Sequence, residues 1–479
     1  MFRRRIRQVD GILDGKPVDI GAEFIHGPDT ELACLAKALH VPLRALFTWS
    51  QGDGGPSETR APDGGVGYYY IKDEKSLRRF DEVERDITVM HDLLKSLAEQ
   101  EKKIETLCSM REYLQQHGTT ERALTLAESG VGNTAGDPLH EISANIYSCF
   151  DRCWLHDSES SDTDYRPEAS FRPLIENMAQ GVNIMLNAVV RKLAVCDSED
   201  QGSARQIVVS TNNDTFCANQ VIVTVPLSVL QEGDIEFEPA LSDKKQEAIN
   251  SVRFSNALKI HLRFHRRCWP KDCHGAVCAG CFVPELWMTN NLAGPDGVGF
   301  IVDDPMSKDS NSIRCFDYLG NDKLDETSDK VEHMEQHLVT GFIMGAAADE
   351  IAKLPEEQAV SKFLDQLEEM FEEDVRKYFD QGWIHNWKDH KFVRGAYTSP
   401  SLQEERFNEN SSLSRPGSAA RQMISDPHEE KIFFAGEATA GANELTDAPM
   451  TVHGAMRTGM RAGLQALGRS SNHKYTVLK

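Results

Sequence analysis

The 479-residue sequence lacks any run of apolar residues long enough to cross a membrane. The longest apolar stretch lies within 221–230, where Thr, Pro and Ser interrupt it, whereas a membrane-spanning helix needs ~20 residues. The N-terminal MFRRRIRQVD is basic but has no apolar segment behind it, so it does not resemble a secretory signal peptide. These absences predict a soluble, intracellular and most simply cytoplasmic protein, with no membrane partner.

Positive charge is also scarce, with 52 Lys and Arg against 75 Asp and Glu and a formal net charge of −23. Such a surface repels phosphate backbones and excludes a typical nucleic-acid-binding protein. It would steer a cationic substrate towards the protein, although many acidic proteins share this property. The eleven cysteines are scattered through a large chain, which favours reduced thiols over a disulfide framework.

The pattern of helices and strands indicates a mixed α/β or α+β protein with discontinuous domains. Strands are predicted at 182–186, 189–195, 207–210 and 431–435. The run 220–226 has no polar alternation and predicts a strand buried on both faces of a parallel sheet. Residues 258–264 alternate, with Lys259 on the polar face.

Four helices are predicted from apolar residues at spacings of three and four. The first begins at Phe80 and continues weakly to Leu114, and the others cover 173–180, 356–371 and 451–467. Residues 302–336 are polar with little periodicity and are interpreted as a surface insertion.

The C-terminal block KIFFAGEATAGANELTDAPMTVHGAMRTGMRAGLQAL is the most informative segment. A buried strand ends at Gly436, where a backbone can approach a ligand closely, and Glu437 follows at the carboxyl end of that strand. The amides at Thr451 and Val452 begin a helix and could hold an anionic or carbonyl group. A Gly- and Ala-rich helix that merely crosses a sheet explains the pattern about equally well.

This block resembles the C-terminal flavin-binding signature of the flavin-dependent amine oxidases, which include polyamine oxidases, monoamine oxidases and histone lysine demethylases. Three further stretches resemble the family in the same order: VDIGAEFIHG, NQVIVTVPLSVLQEGDIEFEPALSDKKQEAI and NWKDHKFVRGAYTSP. Together they span residues 18 to about 467. The chain is therefore identified as a member of this family, similar to its polyamine oxidases through the early I-H-G segment.

The resemblance implies a two-domain fold with a Rossmann-like FAD domain. That domain would combine 1–30, 166–250 and 421–470, and the substrate domain 31–165 and 251–420, with a tail at 471–479. The implied reaction transfers hydride from an amine, most simply a polyamine, to FAD. It gives an aldehyde, a shorter amine and, with O2, hydrogen peroxide, and it requires no metal.

Lys259 is the candidate catalytic residue. A lysine on the polar side of a strand usually faces solvent. The resemblance places Lys259 in the family strand whose lysine holds a water against flavin N5.

The other candidate residues also follow from the resemblance. The implied substrate contacts are His26, Glu23, Tyr397 and Ala448, and the implied cofactor contacts are Arg5, Gly21, Ala22, Val190, Trp387, Gly436, Glu437, Thr451 and Val452. His26 could instead be a turn histidine, and Trp387 and Tyr397 could be plain core residues. Ala448 stands where many relatives have a tyrosine of an aromatic cage.

Two other patterns are interpreted as unrelated to the function. GVGNTA at 130–135 fits G-x-G-x-x-A, but no apolar strand precedes it, as a dinucleotide-binding loop requires. Cys268, Cys273, Cys278 and Cys281 crowd together and could hold zinc or an iron–sulfur cluster, but strand cysteines are usually small hydrophobic residues.

The sequence also departs from the family pattern. No strand and G-x-G-x-x-G turn precede VDIGAEFIHG, Arg3-Arg4-Arg5 stand where G-G-R is expected, and Ala169-Ser170-Phe171 replace a Gly-Gly. We expect either that the chain is incomplete at its N-terminus or that flavin binding is impaired. The alternatives are a histone lysine demethylase or monoamine oxidase, a non-catalytic flavoprotein-like scaffold, and a metal-dependent binding module.

Overall fold

The computed structural model describes residues 7–13, 16–46, 65–82, 84–99, 104, 106–157, 164–167, 170–196, 205–290, 299–300, 315–316, 336–409, 418–441 and 447–469. These residues form helices and several separate sheets, so the predicted mixed α/β class is confirmed. Within them, no helix is long and apolar enough to cross a membrane. The tail at 471–479 and most of 302–336 lie outside the described residues, and the predicted domain boundaries stay a prediction.

The strands, in chain order, are β1 Gln8–Leu13, β2 Lys16–Asp19, β3 Ile25–His26, β4 Leu43–Ala45, β5 Val66–Ile71, β6 Ser76–Arg79, β7 Asp164–Pro167, β8 Val190–Cys196, β9 Gln206–Thr211, β10 Thr215–Ala218, β11 Val221–Val223, β12 Glu236–Glu238, β13 Arg253–Ser255, β14 Ala257–Phe264, β15 Cys273–Ala279, β16 Glu285–Asn290, β17 Gly299–Phe300, β18 Cys315–Phe316, β19 His337–Met344, β20 Phe379–Asn386, β21 Tyr397–Ser399 and β22 Ile432–Phe434.

The helices are α1 Glu31–Ala38, α2 Arg85–Glu99, α3 Met110–Gln116, α4 Glu121–Ala127, α5 Asn133–Ala135, α6 Ala144–Asp157, α7 Arg172–Met178, α8 Leu227–Gln231, α9 Asp243–Ser251, α10 Gly345–Ile351, α11 Glu356–Phe371, α12 Leu402–Glu409, α13 Ala419–Ser425 and α14 Val452–Ala466. A π-helical turn, Glu128–Gly132, joins α4 to α5.

The largest sheet has seven strands in the order β20-β14-β19-β16-β15-β5-β6. Leu258, Ile260 and Leu262 on one face of β14 are fully buried in a core that includes Phe363 and Leu367 of α11. The alternation predicted for 258–264 is therefore confirmed. The opposite face of β14 carries Lys259, so this sheet supports the candidate site.

A smaller parallel sheet pairs β11 with β22, Val221 opposite Ile432 and Val223 opposite Phe434. It shares a core with the separate sheet β10-β9-β8-β12 and with helices α8, α9 and α13. The helix predicted at 451–467 is confirmed as α14, which packs beside this sheet. The parallel pairing of the 220–226 run is also confirmed, but burial on both faces is wrong, because Ile222 is 40% exposed.

Two further predictions are wrong. Residues 182–186 form no strand, and Val182, Ile184, Met185 and Leu186 are all exposed. Apolar alternation makes a strand only where a neighbouring strand accepts its hydrogen bonds. The helix predicted to begin at Phe80 instead begins at Arg85, after a short 3₁₀ turn, and does not continue to Leu114. A separate helix, α3, begins at Met110, because Ser109 and Glu112 form a capping box.

Candidate active site

Lys259 lies in the middle of β14, between His385 of β20 and Phe342 of β19. Its side chain is buried, contrary to the usual position of a lysine on the polar face of a strand. Nζ donates to the carbonyl oxygen of Gly21 at 2.9 Å and to Glu23 Oε2 at 2.7 Å, and lies 3.4 Å from the carbonyl oxygen of Asp19. The segment after β2 therefore folds over the centre of the large sheet.

Both carboxylate oxygens of Glu23 have partners. Oε2 accepts from Lys259, while Oε1 accepts from the indole Nε1 of Trp287 at 3.0 Å and pairs with Arg166 at 2.8 Å. Burial acts to raise the pKa of Glu23, but Arg166 and Lys259 outweigh it and hold that pKa below its usual value. Glu23 is therefore a buried carboxylate ion between two cations.

Asp19 and His261 complete the surroundings of Lys259. Burial, and then the nearby charge of Glu23, raise the pKa of Asp19 to about 7, and its carboxylate accepts from the backbone N–H of Phe171. Burial and the charge of Lys259 lower the pKa of His261 to about 3, so this histidine is neutral near pH 7. Its Nδ1 lies 3.0 Å from Thr340 Oγ1.

Glu285 is a second buried carboxylate on the same face of the sheet as Lys259, because both residues pair with Phe342 across β19. Two strand spacings put the backbones ~10 Å apart. Oε2 accepts from Asn133 Nδ2 and Thr134 Oγ1, and Glu285 has no cationic partner among the described residues. Burial raises its pKa to about 7.

Asp151 is a third shielded carboxylate, on α6. Tyr147, Asp151 and Trp154 follow each other at helical spacing and share one face of that helix. The carboxylate of Asp151 has no hydrogen bond or ion pair within the described part of the chain, and burial alone raises its pKa to about 7. All three residues are partly buried.

His26 connects this helix to β3. Its ring lies parallel to the Trp154 ring at a centroid distance of 6.1 Å, and Nδ1 lies 3.0 Å from Asp164 Oδ1. The side chain is 41% exposed, and its neighbours are Trp154 and Asp164 rather than the Lys259 cluster.

On the predicted cofactor side, Gly436 ends β22 with φ +122°, and no heavy atom of the described protein lies within 4 Å of where a Cβ would stand. The next residue, Glu437, is buried and accepts from Thr398 Oγ1 at 2.9 Å. Arg421 donates to the same hydroxyl and makes a bidentate, fully buried pair with Glu404. The residue after β22 is thus held by hydrogen bonds, next to an open space at Gly436.

The remaining predicted residues have structural partners. Thr451 caps α14 by accepting from Gly454 N and donating to the carbonyl oxygen of the fully buried Ala448. Trp387 is buried and donates to the carbonyl oxygen of Ile20, next to Gly21. The hydroxyl of Tyr397 donates to the carbonyl oxygen of Thr134, and burial together with Glu285 and Glu437 raises its pKa.

The structure therefore brings together Glu23, Gly21, Lys259 and Trp387, with Ala22 in the same segment. The charges of Glu285 and Glu437 both act on Tyr397. Other predicted residues lie apart: Val190 lies in β8 of another sheet, Val452 packs near α1, and Arg5 lies outside the described residues.

Sequence reasoning missed the charged partners Asp19, Arg166, Glu285 and Asp151. Arg166 lies in β7, within a charged stretch of sequence that carries no strand pattern. The alternation in ELWMTN, which places Glu285 and Trp287 on one face of a strand, was a usable signal.

The structure also places the two sequence patterns that were interpreted as unrelated to the function. GVGNTA spans the end of the π-helical turn and all of α5, and α4 comes before that turn, which confirms that no strand precedes it. Cys273 and Cys278 are buried in β15, where burial raises the thiol pKa of both. Their sulfurs contact Met288 and Met370.

The residues around Gly436 fit a flavin. The open space above this glycine lets a cofactor approach the backbone, and the adjacent carboxylate is buried and fixed. Gly21 and Trp387 lie at the Lys259 cluster.

A family model described as flavin containing amine oxidoreductase matches residues 5–463. The chain is 27% identical to human lysine-specific histone demethylase 2 over 341 residues, covering 70% of this chain. It is 24% identical to polyamine oxidase 2 of Arabidopsis thaliana over 477 residues, covering 94% of this chain and 78% of the relative. The chain spans only 33% of the length of the human and mouse histone demethylases that it matches.

Solved structures share the fold. Wild-type putrescine oxidase bound to putrescine superposes with a TM-score of 0.67 at 17% identity, covering 97% of this chain and 91% of the other. Cyclohexylamine oxidase from Brevibacterium oxydans IH-35A gives 0.66 at 14% identity, with the same coverage. The predicted two-domain oxidase fold is thereby confirmed.

Proposed function

Because the chain belongs to the flavin containing amine oxidoreductase family, we propose that it is an FAD-dependent oxidase whose substrate is a polyamine. Its products would be an aldehyde, a shorter amine and, from O2, hydrogen peroxide. When bound, FAD accepts hydride from the carbon next to the amine nitrogen and passes the electrons to O2. The names of the Arabidopsis polyamine oxidase and of putrescine oxidase support this substrate class.

One observation carries the preference for a polyamine: Glu285 is a buried carboxylate without a cationic partner among the described residues, on the same sheet face as Lys259. A buried carboxylate is costly unless a cation pairs with it. A substrate with a second ammonium group supplies that cation when the reacting nitrogen is near Lys259. Asp151 on α6 is a second carboxylate of this kind.

Different residues of the chain would then have separate roles in substrate binding and oxidation. Glu285 orients the substrate through its distal ammonium, and Tyr397 forms a wall near Glu285 and Glu437. The buried face at Lys259 excludes water and favours the neutral form of the reacting amine.

The test compares a polyamine with a monoamine. In peroxide-release assays on the FAD-loaded protein, Glu285→Gln should raise the KM for spermine about 10-fold or more, since a charge-assisted hydrogen bond contributes about 1.5–3 kcal/mol. The KM for hexylamine should change less than about 3-fold. Equal effects on both amines, or no effect on either, would contradict the assignment of Glu285.

Oxidation of a methylated lysine side chain is a second candidate, favoured by the match to human lysine-specific histone demethylase 2 over 70% of this chain. A dimethyl-lysine peptide distinguishes the two. Peroxide released from the peptide but not from spermine would favour this candidate.

A further inference from the structure

The Nζ atom of Lys259 contacts three oxygen atoms. The number of N–H donors that these contacts require indicates whether Lys259 is an ammonium ion or a neutral amine. Its Nζ lies 2.7 Å from Glu23 Oε2, 2.9 Å from the carbonyl of Gly21 and 3.4 Å from the carbonyl of Asp19. All three partners are acceptors. An ammonium ion has three N–H donors for three acceptors, whereas a neutral amine has only two and a lone pair that would face the third.

Glu23 is itself held as an ion. Arg166 and Trp287 supply two donors to Oε1, while Lys259 occupies Oε2. The Trp287 ring also lies 5.2 Å below the Lys259 ammonium, an arrangement that favours a cation. The side chains of Glu23, Lys259 and Arg166 are only 7%, 4% and 13% exposed, so water screens these charges little.

We propose that Glu23 is a positioning residue that keeps Lys259 as an ammonium ion at one fixed place on the sheet. Glu23 is then unavailable as a substrate contact, because both its oxygens are used within the protein. The site instead presents a permanent positive charge, which stabilises negative charge that develops on a bound flavin or on O2.

The other titratable groups facing Lys259 do not replace this counterion at pH 7. His261 on the same strand and His385 on β20 both have a pKa lowered by burial, to about 3 and about 4, and are neutral. Glu285 on β16 stands two strands away. Asp19, with its pKa raised to about 7, is the one neighbour described here that could take over part of the role at higher pH.

The test reads the charge of Lys259 directly, on the full chain and without requiring oxidase activity. The protein is labelled with [ε-13C]lysine, and the Lys259 resonance is assigned by its loss in Lys259→Arg. In the wild type at pH 7 we expect the chemical shift of an ammonium group. In Glu23→Gln at the same pH, the Lys259 shift should move towards that of a neutral amine, because two buried cations then share no full counterion.

The double variant Asp19→Asn/Glu23→Gln should move the Lys259 chemical shift further, since it also removes the carboxylate that can compensate. Glu23→Asp should restore most of the wild-type behaviour. Glu285→Gln is the matched control: it removes a buried carboxylate from the same face without touching Lys259, and should move the Lys259 chemical shift far less than Glu23→Gln.

Two results would overturn the proposal. One is a neutral-amine shift for Lys259 in the wild type at pH 7, which needs no variant and stands even if Glu23→Gln does not fold. The other is the same Lys259 chemical shift in wild type and Glu23→Gln at pH 7. Glu23 and Lys259 form their ion pair without cofactor or substrate. The proposal about this pair can therefore be right while the proposed polyamine oxidation is wrong, and the oxidation can be right while the proposal about the pair is wrong.

Discussion

The two faces of the candidate site are built differently. On the substrate side, a seven-stranded sheet holds Lys259 and Glu23 in a buried network in which every oxygen of Glu23 has a partner. On the cofactor side, β11 and β22 form a sheet of two strands among the described residues, and the space above Gly436 is open.

No described atom lies within 4 Å of where a Cβ would stand at Gly459 or Gly463 of α14 either. The difference teaches that contacts within the chain fix the groups at Lys259, whereas the backbone at Gly436 is left accessible to a ligand.

The largest effect is expected at the buried ion pair of Arg421 and Glu404. Arg421→Met should cost about 3–5 kcal/mol of unfolding free energy, because it leaves Glu404 buried without its bidentate partner. Denaturant unfolding measures this loss. The matched control Arg172→Met removes the exposed pair with Glu176 and should cost less than about 0.5 kcal/mol. Similar losses in the two variants would contradict the expectation that the buried ion pair stabilises the protein more than the exposed one.

Lys259→Met should act on the chemistry more than on the fold. We expect reoxidation of the reduced flavin by O2 to slow about 100-fold, since one fixed charge facing the reacting atoms is removed. Reduction by the amine should change less. Stopped-flow absorbance separates the two half-reactions, and a variant that reacts with O2 at the wild-type rate would remove Lys259 from the oxidative step.

The buried carboxylates predict how stability depends on pH. The pKa of Glu285 is raised to about 7 in the folded protein, so the native state holds a proton that the unfolded chain has released above about 4.5. Its contribution to stability therefore falls between pH 4.5 and pH 7 and is then constant. Glu285→Gln should be more stable than the wild type at pH 8 by about 1–3 kcal/mol, with no gain at pH 4. A gain that is the same at both pH values would be inconsistent with a raised pKa.

The smallest effect is expected in the exposed apolar segment. Leu186→Ser should change unfolding free energy by less than about 0.5 kcal/mol, because the side chain is 68% exposed. Thermal unfolding checks this. A loss above about 1 kcal/mol would contradict the exposed position of this side chain.

Local sequence patterns predicted the helices and strands whose own residues show a clear periodicity or a helix cap. The strand at 258–264, the helix at 356–371 and the helix from Thr451 follow from periodicity and capping. The strand at 182–186 failed because strand formation depends on a neighbour, which no local pattern supplies.

The candidate site was predictable only in part, for the same physical reason. Motifs pointed to Lys259 and Gly436, but the partners of Lys259 come from distant segments. Glu23 is 236 residues away, and Trp287 is 264 residues from Glu23. Only the folded sheet shows that these charges meet.

The most direct test of the central claim is a visible absorbance spectrum of the protein incubated with excess FAD, washed, and then mixed anaerobically with spermine. The account predicts retained flavin bands that bleach on addition of the amine and return when O2 is admitted. A protein that retains flavin but does not bleach with spermine, hexylamine or a dimethyl-lysine peptide would contradict amine oxidation. A protein that retains no flavin would contradict the fit of the cofactor at Gly436.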